Sequence, residues 1–162
     1  MRRELVNPYE QYPGFNCFGC SKNNVAGLKL NFVETENGIE SEWKPDTRFE
    51  GYFGILHGGI QATLLDEIAS WIINVKLDTA GVTSKLEIEY VKPVKLDSCK
   101  NITLKASIES VEGNNAIIYA TLENDQHDIC TNARLTYFIY PKEIAKRKLK
   151  FAGKNSYYKT NL

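Results

Sequence analysis

The sequence predicts an α+β domain in which an antiparallel β-sheet wraps around one long central α-helix. Apolar residues recur at helical spacing from residue 58 to about residue 76, so this segment is expected to be helical. The segments that follow alternate apolar and polar residues, which is typical of strands with one packed face and one solvated face. Because only one long apolar helix is available, the economical arrangement is a sheet that curls around it.

The first predicted element is a hairpin. Residues 28–34 and 39–43 read as two short strands, and the turn signal Glu36-Asn37-Gly38 lies between them. A loop rich in turn residues and aromatic residues follows, up to the sequence His57-Gly58-Gly59. The hairpin is therefore expected to lead into the helix through an irregular loop.

The predicted helix is apolar over most of its circumference, so most of it should be buried. Its apolar side chains form two adjacent rows: Ile60, Leu64, Ile68 and Ile72, and beside them Leu65, Ala69 and Ile73.

Three or four strands are predicted after the helix. Leu86, Ile88 and Tyr90 alternate with charged residues, and a second alternating segment covers residues 102–109. The turn Gly113-Asn114-Asn115 leads into a strand over residues 116–122, and a last strand runs from about residue 129 to residue 140. Their clean alternation favours antiparallel over parallel pairing.

The bulk properties indicate one globular domain. A chain of 162 residues can bury a core without disulfides or metals, and 43% hydrophobic with 25% charged residues is a globular balance. We expect an N-terminal extension or lid over residues 1–27, the main domain over residues 28–141 and a basic tail over residues 142–162. No secretory signal or membrane-spanning stretch is recognisable, so a cytoplasmic location is expected.

Charge is balanced overall but uneven along the chain. Twenty basic and twenty acidic residues cancel, yet beyond Pro141 seven Lys or Arg face a single acid, Glu143. This segment could meet nucleic acid, anionic lipid or cofactor phosphates. A solvated, partly mobile C-terminus is the simpler interpretation, and a nucleic-acid partner is not expected.

The segment from Gly54 to Glu67 carries the candidate chemistry. Gly58 and Gly59 open the helix, where free backbone N–H groups and the helix dipole favour an oxyanion or a polarised carbonyl. Two turns further on, Asp66 borders the buried side of the helix. A carboxylate there is either a general base in a dry pocket or a structural acid satisfied by hydrogen bonds.

The pattern His-Gly-Gly, six residues, then Asp on an apolar helix resembles the signature of the hotdog-fold thioesterases, in the branch related to the phenylacetate-degradation (PaaI-like) enzymes. Two further segments resemble that branch. Residues 17–30 contain a Cys-x-x-Cys followed by a Gly-Leu sequence, and residues 83–94 end in Tyr90-Val91-Lys92-Pro93. The resemblance covers about residues 17–140 and implies a hotdog fold.

The resemblance also implies an acyl-coenzyme A (acyl-CoA) thioesterase. Asp66 would act as general base or as nucleophile, a choice that stays open, and the Gly59 N–H would polarise the thioester carbonyl. His57 would shape the loop, or merely cap the helix, and Thr83 would orient the water. The implied substrate contacts are Gly58, Ser84 and Lys92, with Lys92 near coenzyme A phosphates or simply solvated.

In the resembling family the site lies at a homodimer interface, and whether dimers pair into tetramers is left open. Coenzyme A is expected only as part of the substrate. A non-catalytic acyl-CoA-binding or sensing protein is the alternative. Val25 and Ser21 replace a Pro and a Gly of the family pattern, and Glu67 adds a second acid beside Asp66, so the acyl group stays open. Five aromatic residues could line its pocket: Trp43, Phe49, Tyr52, Phe53 and Trp71.

Cys17 and Cys20 have a metal-ligand spacing, which is compatible with a zinc site or a redox role. A zinc site needs a second pair of ligands, while Cys99 and Cys130 stand singly on separate predicted strands. Two chains could pool their pairs, but the segment resembles a lid or dimer element. The sequence therefore predicts free thiols and no metal.

Overall fold

A seven-stranded antiparallel sheet curls around one long helix in the computed structural model, which describes residues 1–159. Short 3₁₀ turns lie at Pro8–Gln11, Thr47–Phe49 and Lys154–Tyr157. The strand order across the sheet is β1-β2-β3-β5-β6-β7-β4. The elements are β1 (Arg3–Glu4), β2 (Val33–Glu34), β3 (Ile39–Trp43), α1 (Gly58–Lys76), β4 (Gly81–Tyr90), β5 (Ile102–Glu112), β6 (Asn115–Glu123), β7 (Ile129–Ile139) and α2 (Lys142–Leu149).

Helix α1 has the bounds that its apolar periodicity predicts, Gly58 to Lys76. Both apolar rows face the sheet, and Leu64, Leu65 and Ile68 are fully buried. Burial of such side chains stabilises the fold by about 1.5–3 kcal/mol each relative to exposure. The α+β prediction is therefore confirmed. No helix among residues 1–159 is long and apolar enough to cross a bilayer.

The strands after the helix are confirmed with small shifts at their ends, but the N-terminal hairpin is shorter than predicted. Its first strand is only Val33–Glu34. Residues 28–32 alternate buried and exposed positions like a strand. However, the Leu28 N–H donates to Phe18 O and the Leu30 N–H to Gly19 O. The backbone thus pairs with the irregular N-terminal segment instead of a strand.

The C-terminal residues 142–159 are not a solvated tail, which corrects the expectation from charge. Ala145, Phe151 and Tyr157 belong to the core, and the basic side chains lie around them. The remaining residues of that predicted segment, 160–162, lie outside the described residues. The basic side chains meet acids or aromatic rings in these pairs: Lys142–Asp78, Lys146–Glu143, Lys159–Glu4, Lys148–Tyr140 and Lys150–Tyr12.

Strand β4 forms one outer edge of the sheet, and β7 is the strand beside it. Leu86, Ile88 and Tyr90 face inward opposite buried residues of β7, as the alternation predicts. Nevertheless Leu86 is 36% and Tyr90 50% exposed, since β4 has a neighbouring strand on one side only. A ten-residue edge with exposed apolar side chains is a surface that proteins normally cover.

Candidate active site

The Asp66 carboxylate lies half-buried between α1 and the β4–β7 edge of the sheet. Its Oδ1 accepts a hydrogen bond of 2.6 Å from the Thr83 hydroxyl. The Tyr137 hydroxyl lies 2.8 Å from both Oδ1 and the backbone oxygen of Asp66. Among residues 1–159, no group donates to Oδ2. One carboxylate oxygen is therefore fixed by hydroxyls, while the other can accept a proton from a water.

The strand register explains why two hydroxyls reach the same carboxylate oxygen. Thr83 and Tyr137 are direct partners across β4 and β7, so both side chains project from the same face of the sheet. The register shifts between Thr83 and Lys85, which leaves Ser84 as the extra residue of a β-bulge. Its hydroxyl donates to Thr136 O over 3.0 Å. Ser84 therefore belongs to the bulge and does not contact Asp66.

Tyr137 is a site residue that the sequence analysis missed. Burial, reinforced by the nearby Asp66 charge, raises the pKa of Tyr137 well above its ordinary value, so the phenol stays a proton donor. One signal was available: the alternation of β7 places Leu135, Tyr137 and Ile139 on the packed face. A buried tyrosine hydroxyl needs a hydrogen-bond partner, and a carboxylate on the facing helix is a natural one.

The start of α1 is organised by His57, which is its N-cap residue. The imidazole Nδ1 accepts the Gly59 N–H over 2.9 Å. A Cβ on Gly59 would lie 3.1 Å from this nitrogen, so glycine accommodates the cap. Polarisation of a carbonyl by the Gly59 N–H therefore requires the imidazole to turn aside. Next to it, the Gly58 carbonyl accepts the Tyr90 hydroxyl over 2.8 Å, which anchors the helix tip to β4.

His57→Ala should lower the free energy of unfolding by about 1 kcal/mol, because it removes a helix cap. His57→Asn should retain more of this stability, since asparagine is itself a good N-cap residue. Urea denaturation of the three proteins checks the order. Equal stability of the parent and the alanine variant would contradict the assigned cap.

A cleft of about 460 Å³ adjoins the helix tip. Of the five aromatic residues considered for an acyl pocket, Trp43 and Trp71 are buried in the core. Tyr52 lines the cleft. Tyr52 and the neighbouring Phe53 are 88% and 99% exposed, which is unusual for side chains of this size. The cleft is lined by Glu50, Gly51, Tyr52, Ile55, Leu56, His57 and Gly58.

Lys92 lies just beyond β4 and is separate from the Asp66 cluster. Its ammonium group is 3.1 Å from the Asp128 carboxylate, and both side chains are about half exposed. An exposed ion pair of this kind contributes little to stability, so Lys92 can exchange Asp128 for another anion at small cost.

Glu67 turns away from Asp66 toward the N-terminal segment. Its carboxylate oxygens lie 3.6 and 3.7 Å from the Cys17 sulfur, and the Trp71 indole N–H donates to it over 3.2 Å. Burial raises the pKa of Glu67 to about 7. The two adjacent acids of α1 thus occupy different environments, and only Asp66 contacts the predicted Thr83.

Comparison with known proteins agrees with this architecture. Residues 53–131 match the family model described as thioesterase superfamily. A hypothetical thioesterase from Streptococcus pneumoniae, solved with coenzyme A, is 23% identical to this chain. The match covers 70% of this chain and 87% of the Streptococcus protein, with a TM-score of 0.63. The PaaI protein of the E. coli phenylacetic acid degradation operon is 15% identical, with 71% and 82% coverage and a TM-score of 0.63.

A thioesterase from Haemophilus influenzae is 22% identical, with 75% and 85% coverage and a TM-score of 0.66. No curated protein sequence matches the chain. The family model covers the segment from the loop before α1 into β7, which includes Asp66 and Thr83. Residues 53–131 thus match the thioesterase superfamily, and the chain has the hotdog fold of these similar structures.

Proposed function

We propose that this protein is an acyl-CoA thioesterase that hydrolyses an acyl-CoA thioester to a carboxylic acid and coenzyme A. The observation that carries the proposal is the Asp66 carboxylate, which Thr83 and Tyr137 hold at an open sheet edge. The related structure from Streptococcus pneumoniae was solved with coenzyme A, which supports the same ligand class. The E. coli PaaI protein shares the fold, and the PaaI-like branch is proposed from the sequence motifs at residues 17–30, 57–66 and 83–94.

The geometry suits hydrolysis because a thioester carbonyl is already electrophilic. The reaction needs a positioned nucleophile, a proton acceptor and a donor for the developing oxyanion. As general base, Asp66 takes a proton from water through Oδ2 while the oxygen of that water adds to the carbonyl carbon; the C–S bond then breaks, and the proton passes from Asp66 to the departing thiolate of coenzyme A. As nucleophile, Asp66 attacks the carbonyl carbon and the C–S bond breaks to release the thiolate; water then cleaves the mixed anhydride, which gives the carboxylic acid, restores the carboxylate and supplies the proton of the thiol. Both routes use the same carboxylate.

The helix tip and Asp66 of one chain are too far apart to serve one carbonyl. Seven residues of α-helix separate Gly59 from Asp66, which is about 10 Å along the axis at 1.5 Å per residue. Reacting groups must approach to about 3 Å. We therefore infer that the Gly58–Gly59 tip of one protomer meets Asp66 of its partner in a homodimer.

Strand β4 is the surface that best suits this dimer. It carries Thr83, it forms an outer edge of the sheet, and its neighbour along the sheet is β7 alone. Val82, Leu86 and Tyr90 expose 43%, 36% and 50% of their surface. Pairing of two such edges would cover these side chains and bring each Asp66 close to the other protomer.

The test is a panel of acyl-CoA esters with short, medium, long and aromatic acyl groups, with thiol release followed by a thiol-reactive dye. We expect release of coenzyme A from at least one class, and the preferred class identifies the acyl group. The exposed Tyr52 beside the cleft favours an aromatic or medium-chain group, which can pack on the ring.

A binding or sensing role is the second candidate, and one observation favours it. The His57 imidazole occupies the Gly59 N–H that hydrolysis would use as an oxyanion donor. A sensor would bind acyl-CoA esters tightly in calorimetry and release no thiol across the panel. That outcome would refute the thioesterase.

Thr83→Val should lower kcat by about tenfold to a hundredfold with little change in KM. The substitution removes one hydrogen bond to the Asp66 carboxylate, and a hydrogen bond to a charged acceptor contributes about 1.5–3 kcal/mol. Thr83→Ser keeps the hydroxyl and should retain most of the activity. Steady-state kinetics on the preferred ester compares them. If valine and serine behave alike, the hydroxyl has no role in positioning Asp66.

A further inference from the structure

A second cluster of reactive side chains lies on the other side of α1, away from Asp66. The N-terminal segment places Cys17 and Cys20 against Glu67 of the helix, beside a cavity of about 240 Å³. One ligand atom from each of these three residues lies within 4.8 Å of the other two. The two cysteines alone provide two of the four ligands of a zinc site. Helix α1 supplies a third potential ligand, Glu67, which lies about 50 residues further along the chain.

Gly19 shows how closely this turn approaches the carboxylate. A Cβ at position 19 would lie 2.4 Å from the Cδ and Oε2 atoms of Glu67. Glycine is therefore the residue that lets the Cys-x-x-Cys turn rest directly on the acid. The sulfur of Cys17 then lies 3.7 and 3.6 Å from the two carboxylate oxygens, at the length of a hydrogen bond from a thiol.

These distances fit the edge of a metal tetrahedron. Zinc binds thiolate sulfur at about 2.3 Å and carboxylate oxygen at about 2.0–2.2 Å, so tetrahedral angles place a sulfur and an oxygen about 3.6 Å apart. The observed separations between Cys17 and Glu67 match this value. Cys17 and Glu67 therefore have the spacing of two zinc ligands, and the Cys20 sulfur lies within 4.8 Å of both.

The charge balance of the cavity also favours a cation. Glu67 and the two thiols are potential anions, and no Lys, Arg or His is among the described residues that line the cavity. Glu67 takes part in no ion pair within residues 1–159. Buried anionic groups are normally paired with a cation or bind a metal. A zinc ion would supply the missing positive charge.

Tyr157 provides an independent sign of a ligand in the same cavity. Its side chain is fully buried, lines this cavity and has a hydroxyl with no hydrogen-bond partner among residues 1–159. The nearby Tyr9 hydroxyl donates instead to Leu149 O. An unsatisfied buried hydroxyl costs about 1–3 kcal/mol, so the cavity offers an unused hydrogen-bonding position.

We propose that Cys17, Cys20 and Glu67 bind one zinc ion, with a water in the fourth position that is hydrogen-bonded to the Tyr157 hydroxyl. Three protein ligands and an open position facing a cavity are the usual arrangement of a zinc ion that keeps an exchangeable ligand. The ion would fasten the N-terminal segment to α1, one residue from Asp66. This site goes beyond the proposed thioesterase activity and does not depend on it.

The first test measures zinc in the full-length chain. The protein is reduced with a thiol-free phosphine, loaded with zinc, desalted and analysed by elemental mass spectrometry. We expect about one zinc per chain, a complete loss in Cys17→Ser and Cys20→Ser, and a strong loss in the isosteric Glu67→Gln. Cys99→Ser is the matched control, because serine can keep the hydrogen bonds of that thiol to Asp125 and Asn101 and the site is elsewhere.

The second test uses cobalt as a spectroscopic substitute. The loaded parent should show a thiolate-to-cobalt charge-transfer band that weakens in each cysteine variant and persists in Cys99→Ser. Tyr157→Phe should keep the band but weaken zinc affinity by about tenfold or more, as losses of hydrogen bonds around metal ligands do. Circular dichroism of each variant establishes that it is folded.

Three results would overturn the proposal. The first is a reduced, folded parent that takes up no zinc. The second is zinc uptake that Glu67→Gln and Cys17→Ser leave unchanged. The third is a Cys17–Cys20 disulfide that forms in place of metal binding even in the presence of zinc and reductant. Thioester hydrolysis is not a readout of either experiment, so these results are independent of the proposed activity.

Discussion

Asp66→Asn should lower the kcat of thioester hydrolysis by about 10²–10⁴-fold, the range that general-base catalysis contributes. An amide has nearly the shape of the carboxylate and can still accept the Thr83 and Tyr137 hydrogen bonds, but it neither takes a proton nor attacks the carbonyl carbon. KM should change little, because the loss concerns the transition state. Steady-state kinetics on the preferred acyl-CoA ester provides the measurement.

The matched control for this variant is Glu143→Gln, which removes an exposed carboxylate on α2 without approaching the site. It should retain the parent kcat. Size-exclusion chromatography and thermal unfolding should show that both variants keep the fold and the assembly of the parent. Full activity of the Asp66 variant would remove this residue from the mechanism.

Leu86→Lys should convert the proposed dimer to monomers and lower activity in parallel. Leu86 faces inward but is 36% exposed at the β4 edge, so the substitution places a charge where a partner strand would complete the burial, and an unpaired buried charge costs several kcal/mol. Because the Gly58–Gly59 tip of one protomer is inferred to serve Asp66 of the other, monomers would lack a complete site. Analytical ultracentrifugation and kinetics on the same samples measure both effects.

Val25→Lys is the control for the edge variant, because Val25 is already 84% exposed and lies in an irregular segment outside the sheet. It should leave mass and activity unchanged. An active Leu86→Lys monomer would show that one chain holds a complete site, and the inter-protomer arrangement would then be wrong.

Periodicity in the sequence was sufficient to predict the frame of the fold. The apolar rows of α1 fixed both of its ends, and the alternation of Leu86, Ile88 and Tyr90 gave the correct inward face of β4. These predictions work because burial of one helix stripe or one strand face is a local requirement that the residue order must satisfy. The family resemblance named Asp66 and Thr83 as site residues; the structure places them in contact at 2.6 Å, and their catalytic roles stay a prediction.

Contacts between distant segments were not predictable in the same way. Glu67 meets Cys17 across 50 residues, and Tyr137 meets Asp66 across 71 residues. No local pattern encodes either pairing, because both depend on how the N-terminal segment and β7 are placed around α1. The C-terminal segment was predicted to be solvated because it is rich in lysine. The prediction was wrong because Phe151 and Tyr157 pack into the core and hold the segment there.

The contacts of the His57-Gly58-Gly59 motif in the structure differ most from those that the sequence predicts. The motif suggested free N–H groups, whereas the structure has the imidazole accepting the Gly59 N–H and Tyr90 holding the Gly58 carbonyl. A sequence motif identifies the Gly59 N–H as a possible donor, but it does not identify the acceptor to which this N–H donates. In the proposed mechanism, substrate binding must displace the imidazole before the N–H can stabilise an oxyanion.

The most direct test of the account is a crystal structure of Asp66→Asn with an intact, slowly hydrolysed acyl-CoA ester. The account predicts a dimer joined along β4, with the thioester carbon within about 3.5 Å of the residue 66 side chain or of a water bound to it. The carbonyl oxygen should lie near the helix tip of the other protomer. A thioester bound far from residue 66 in every protomer, or wholly within one chain, would contradict it.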